Sequence, residues 1–137
     1  MALPVRYRDL LHASSAGQVV VTIDTEDRCL LLYPLESWEE IQAQLEALPN
    51  MNPVARRLQR LLIGHATDIE LDSAGRVLLP QMLREYADLE KKLVLLGQGR
   101  KLEIWAEDVW TARRDQWLAE TDQAPTDPAT ELQSISL

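Results

Sequence analysis

The sequence predicts an α+β fold with a mostly β core, assembled from two internal repeats with flanking helices. The first observation behind this is recurrence: residues 4–8 align with 80–84, 19–21 with 93–95, 30–33 with 102–105, and Trp38 with Trp110. The second is that each copy holds two short apolar runs separated by turn residues, the mark of a hairpin. The third is that each hairpin is followed by apolar residues at helical spacing. The first copy is about four residues longer than the second, an excess expected in a loop over residues 12–17. By the same offset, the partner of the 72–76 segment falls before Met1. The first copy therefore reads as N-terminally incomplete, without its opening strand, and a sheet edge is expected to be left unpaired.

Val19, Val20, Val21 and Ile23 form one β-branched run, and Leu30, Leu31, Leu32 and Tyr33 a second, with polar turn residues at 24–28 between them. Near-continuous apolar runs of this length suit strands buried on both faces. Ser37 and Glu40 have capping-box spacing, so a helix is expected to start at Ser37, turn Trp38, Ile41, Leu45 and Leu48 inward, and stop before Pro49. Asn52 and Pro53 supply a cap and a first-turn proline for a helix over residues 54–63, ended by Gly64. Its apolar stripe is Val54, Leu58, Leu61 and Leu62. Arg56, Arg57 and Arg60 occupy the rest, either as a solvated face paired with nearby carboxylates or as a phosphate contact.

Residues 66–71 then alternate as a strand leading into Asp72. The second hairpin follows at 93–96 and 102–105, around a turn at 97–99. There Leu102 and Ile104 alternate with Glu103 and Trp105, so one face is expected to be less buried. Val109, Trp110, Arg113 and Trp117 fall at helical spacing over 108–118. Pro125 and Pro128 among small polar residues read as a disordered, acidic tail. The expected organisation is a first repeat over 1–48, an inter-repeat helix over 49–65, a second repeat over 66–119 and a tail over 120–137.

An apolar content of 46% is enough for a core. No run approaches the roughly 20 apolar residues of a bilayer-spanning helix, and no signal-peptide layout opens the chain, so the expected address is the cytoplasm, with no membrane partner. The single cysteine, Cys29, lies in an apolar run and reads as a small buried hydrophobe. The net charge of −8 argues against a protein that coats nucleic acid non-specifically. Much of the excess is C-terminal: Asp115, Glu120, Asp122, Asp127 and Glu131 are accompanied there by no base. No phosphate-cradling glycine loop, zinc-binding helix motif or nucleophile elbow is present. His12 and His65 lack ligand-spaced neighbours, and Glu39, Glu40 and Glu46 read as a solvated helix surface. No catalytic residue, metal site, cofactor or small-molecule substrate is expected.

What remains is the turn Asp72, Ser73, Ala74, Gly75, Arg76. Gly75 can take the positive φ that a tight bend needs, and Asp72 can accept hydrogen bonds from the turn's own amides. Arg76 then re-enters a strand with its side chain beside the turn. By spacing alone, the favoured reading is an Asp–Arg pair stabilising a β-turn.

Together with Leu79, Pro80, Leu83, Arg84, Gly97, residues 103–105 and the 52–66 linker, this turn closely resembles the bacterial MraZ family of transcription regulators, from Pro4 to about Trp117. The resemblance implies an AbrB-like double-split β-barrel in which two copies interleave within one chain. It also implies ring-shaped homo-oligomers that bind short direct repeats of double-stranded DNA in promoter regions. Repression is expected of the protein's own gene and of the division and cell-wall gene cluster, on the nucleoid. On this reading Arg76 is the main DNA contact, Asp72, Ser73, Ala74 and Gly75 shape and present it, and Arg84 adds to the surface. Arg76 can read guanine in the major groove or hold a phosphate as a fork. An AbrB-like antitoxin that grips a toxin through its C-terminal segment, and an oligomeric scaffold without DNA binding, are the alternatives.

Overall fold

Val19, Val20 and Val21 build the middle of β1 (Gln18–Ile23), which pairs antiparallel with β2 (Leu30–Pro34) from Val19 opposite Pro34 to Ile23 opposite Leu30. The computed structural model describes residues 1–123. Around this hairpin, in chain order, lie α1 (Val5–Ser15), α2 (Leu35–Glu46), α3 (Pro53–Gly64), β3 (Thr67–Glu70), α4 (Gln81–Tyr86), β4 (Leu93–Gln98), β5 (Lys101–Ala106) and α5 (Glu107–Gln123). One unit spans Met1–Glu107; a second begins at Asp108.

The strands form one antiparallel sheet in the order β3-β1-β2-β5-β4. It is a mixed α+β architecture, as expected, and the sheet is open, with β3 and β4 as its two edges. The hairpins meet between β2 and β5, where Leu30 faces Ile104 and Leu32 faces Leu102 on either side of the Leu31–Glu103 pair. That register is its own mirror under a local two-fold axis. It equates Leu30 with Leu102, and because Val19 faces Pro34 as Leu93 faces Ala106, it equates Val19 with Leu93. The extra length of the first half is therefore shared between the stretch before β1 and the longer β1–β2 turn. It does not sit in one loop at 12–17: residues up to Ser15 are helical, and Ala16 (φ 54) and Gly17 (φ 78) close α1 in left-handed conformations.

Successive residues of a strand point to opposite faces, and both faces of the sheet centre are covered. On one, Val19, Val21, Ile23, Leu30, Leu32, Leu102 and Ile104 pack with Leu11 of α1, Leu83 of α4, and Leu71, Val77 and Leu79. On the other, Val20, Leu31 and Tyr33 pack with Trp38 of α2, supported by Leu62 and Ile63 of α3. Thr22 is fully buried, and its hydroxyl donates to the carbonyl of Leu62 at 2.7 Å, tying α3 to the sheet.

Several local expectations are corrected. β2 runs to Pro34, which serves as N-cap with φ −56 and ψ 147, so α2 begins at Leu35 and Ser37 lies inside it without capping. Asn52 does cap α3, its side chain accepting from the amides of Val54 and Ala55. Gly64 is that helix's last residue with no left-handed twist, and His65 follows in an α-helical conformation. Trp105 is buried along with Ile104 and Ala106, its indole N–H held by Glu103 at 3.0 Å, so the C-terminal half of β5 is covered more fully than its alternation suggests. Helix α5 continues to Gln123, taking in the first residues read as tail; the remainder of that tail lies outside the described residues. Cys29 is buried, and burial, reinforced by nearby Asp24, pushes its thiol far above the ordinary range, which suits a packing residue. No helix is long and apolar enough to cross a membrane among the described residues.

Candidate nucleic-acid interface

Beyond Glu70 the β3–β1 pairing extends by one bond, from the Leu71 amide to the Gly17 carbonyl at 2.9 Å, and Leu71 drops into the core. The chain must then reverse. The main chain of Asp72 bonds both ways, its amide to the Arg76 carbonyl at 3.2 Å and its carbonyl to the Gly75 amide at 3.0 Å. Its side chain does the rest, one carboxylate oxygen accepting from the amides of Ala74 and Arg76, each at 2.9 Å. The amide of Arg76, followed by that of Ala74 and by the Arg76 charge, holds the Asp72 carboxyl below the usual carboxylate range. Gly75 completes the bend at φ 72, a conformation that costs a side-chain-bearing residue free energy.

This arrangement separates two jobs. The carboxylate of Asp72 is engaged with the backbone of Arg76, and no hydrogen bond or ion pair holds the Arg76 guanidinium among the described residues. Alternation then sorts the emerging strand: Gly75, Val77 and Leu79 are buried, while Arg76 and Leu78 face solvent, Leu78 being 87% exposed. Ser73 is exposed at the tip and Ala74 is half-buried.

The turn is braced by residues far away in sequence. Leu3 donates its amide to the Gly75 carbonyl at 2.9 Å, and the Met1 carbonyl accepts from Val77 at 2.6 Å, so the first residues and the segment after the turn form a short antiparallel ribbon with Ala2 opposite Arg76. Arg8 of α1 donates from its guanidinium to the Ala74 carbonyl at 2.8 Å, with its stem lying across Gly75. Sequence reasoning did not assign Arg8. Its alignment with Arg84 was the available signal, but nothing local connects position 8 to a turn at 72–76. Arg84 stands elsewhere, exposed on α4 and lining a shallow recess with Leu89, Glu90 and Lys91. That recess adjoins the one beside Asp72 and Arg76, and Met1, Val77 and Leu78 line both.

The two histidines do local work. The ring of His65 contacts the Leu61 carbonyl at 2.7 Å, and that of His12 packs against Gly17. No group of metal-ligating side chains is assembled among the described residues.

Replacing Asp72 with alanine is expected to lower the melting temperature, because the amides of Ala74 and Arg76 lose their acceptor. The pH dependence has a definite sign. A carboxyl whose folded-state pKa is depressed stabilises the fold fully above its unfolded value, about 3.9, and loses that contribution as pH falls through the folded value. The difference in melting temperature between the wild type and Asp72→Ala should therefore be full near neutrality and shrink below about pH 4. A gap that stays constant with pH would show that the carboxylate is not what holds the turn.

A family model described as "MraZ protein, putative antitoxin-like" matches the chain twice, over residues 1–61 and 62–132. Proteins named "Transcriptional regulator MraZ" from Halorhodospira halophila, Coxiella burnetii and Legionella pneumophila are similar to it, at 52%, 50% and 51% identity respectively. Each similarity spans 137 residues, which is 100% of this chain and 90% of the relative.

Proposed function

The chain belongs to the MraZ family, and we propose that it is a sequence-specific, DNA-binding transcriptional regulator with Arg76 as its main contact to the duplex. The observation that carries this reading is the division of labour in the turn. Asp72 holds the backbone of Arg76 and leaves its guanidinium outside, on a loop braced by Arg8 and by the N-terminal ribbon. With its backbone fixed, Arg76 projects from a set position, and its planar guanidinium can meet a guanine edge or a phosphate with two parallel hydrogen bonds. The name carried by the relatives supports a role in transcription.

The targets on this reading are short direct repeats in the promoter of its own gene and of the division and cell-wall cluster, with repression as the outcome. The protein works in the cytoplasm, on the nucleoid, without cofactor or catalysis. A net charge of −8 is reconciled with DNA binding by assembly. A ring-shaped homo-oligomer presenting one such turn per subunit gains avidity on repeated sites, on the order of 10² to 10⁴ over a single contact. The double-split barrel is supported by the interleaving of the two halves: β3 lies beside β1, and the first residues lie beside Arg76 and Val77.

Arg76→Ala tests the reading. It should weaken binding to a duplex from upstream of the protein's own gene by about 1–3 kcal/mol per site, with the melting temperature unchanged. A folded variant that binds as tightly as the wild type would remove Arg76 from the interface. The antitoxin reading is favoured by the description of the family as antitoxin-like. It requires a toxin gene beside this one, whereas the regulator reading is supported by neighbouring cell-wall genes.

A further inference from the structure

Most of the chain's arginines are used by its own fold. Arg6 and Arg28 lie over the rings of Tyr7 and Tyr86, and Arg8 holds the Ala74 carbonyl. Arg100 and Arg114 pair with Glu40 and Asp115, and Arg113 bonds Gln116 and covers Trp117. The others have no hydrogen bond, ion pair or ring contact among the described residues. They are Arg76 and Arg84 of the candidate interface, and Arg56, Arg57 and Arg60 of α3. The ion pairs expected for the α3 arginines are therefore not made by described residues.

These three are exposed and share a face, since residues three and four apart are neighbours on a helix. The opposite face is anchored by buried Ala55 and by Leu62 against the sheet, with Ile63 packing at the border of the arginine face. No acidic residue occurs in α3. Gly64 continues the same exposed face one turn beyond Arg60. It is the last residue of the helix, with a helical backbone and open space where a Cβ would project.

We infer that the solvent face of α3 is a second DNA surface, on which Arg56, Arg57 and Arg60 grip the phosphodiester backbone of the duplex independently of its sequence. The inference rests on the DNA-binding reading and assigns it a separate surface. Charge complementarity selects the occupant. A chain of net charge −8 repels a polyanion at long range, so binding needs a local concentration of uncommitted cations, and α3 carries the densest one. Such cations add a sequence-independent hold on the duplex, separate from the contact at Arg76.

The test compares the intact wild-type chain, the triple variant Arg56→Gln, Arg57→Gln, Arg60→Gln, and Arg76→Ala. The probes are a duplex from upstream of the protein's own gene and a shuffled duplex of equal length. Glutamine keeps the helix propensity close to that of arginine. The triple variant should weaken binding to both duplexes by a similar factor and leave their affinity ratio unchanged. It should also reduce the slope of log K against log salt by about 2 to 3, since each phosphate no longer neutralised removes about 0.9. Arg76→Ala should instead narrow the ratio. If the triple variant melts early, the three single variants replace it, each expected to lower the slope by about 1. A folded triple variant with unchanged slope and affinity, beside a weakened Arg76→Ala, would overturn the α3 surface and leave the DNA reading standing; an altered sedimentation with intact DNA binding would assign the face to a protein partner instead. Failure of the wild type to bind either duplex would overturn both readings.

Discussion

Ile104→Ala is expected to destabilise the protein by about 2–5 kcal/mol, the usual cost of truncating a fully buried branched side chain. Ile104 is 0% exposed and faces Leu30 at the seam where the two hairpins join. That seam is short, consisting of the pairs from Leu30 to Leu32 with Ile104 to Leu102, whereas each hairpin is zipped over its whole length. Truncation there therefore removes packing where the halves have least redundancy. Urea unfolding should show the midpoint shifted strongly downward. If the halves come apart separately, the transition should also broaden or split between a tryptophan signal and far-UV circular dichroism. A midpoint shift below about 1 kcal/mol would mean that the seam relaxes around the cavity and that the hairpins do not depend on it.

Gly75→Ala is the second change expected to be large, and it should act on stability and on DNA binding together. A non-glycine residue held at φ 72 costs on the order of 1–3 kcal/mol. An added Cβ would also sit 2.2 Å from Cδ of Arg8 and 2.9 Å from its Cγ, so the Arg8 stem must swing away and give up the Ala74 carbonyl. The two costs can be separated. In an Arg8→Ala background the clash is gone and only the backbone cost remains, so Gly75→Ala should be less damaging there, with a coupling of about 0.5–3 kcal/mol in the double-mutant cycle. Strict additivity would show that Arg8 gives way freely and that the backbone conformation carries the whole effect.

The elements legible in the sequence were those whose causes are local. The valines of β1 and the leucines of β2 announce strands because β-branched and apolar runs bounded by turn residues have few other uses. The Asn52 and Pro53 cap of α3 was equally readable. The inner geometry of the 72–76 turn also followed from residue chemistry: Asp72 accepts amides, and Gly75 takes a positive φ. What escaped depended on partners distant in sequence. Helix α1 buries little besides Leu11, so its amphipathic pattern is weak, and residues 12–15 read as loop. Ser37 has capping-box spacing, but Pro34, where β2 hands over directly to α2, starts the helix earlier. Trp105 alternates like a half-exposed residue and is buried by tertiary packing that no window of sequence contains. Within the site, Arg8 was missed for the same reason: its role exists only because α1 crosses the turn.

The ribbon that pairs Leu3 with Gly75 and Met1 with Val77 joins residues separated by most of the sheet-forming chain. Closing so long a loop costs chain entropy, and the β3–β1 pairing offsets part of it by holding the segment that leads into the turn against the sheet. The bracing of the turn is thus non-local, with Leu3 and Val77 reaching one core from the two ends of that loop. On the proposed reading, a duplex that engages Arg76 binds the closed form of this ribbon, so the nucleic acid would fasten two distant stretches of chain together. Occupancy of such a site and integrity of the turn would then rise and fall together.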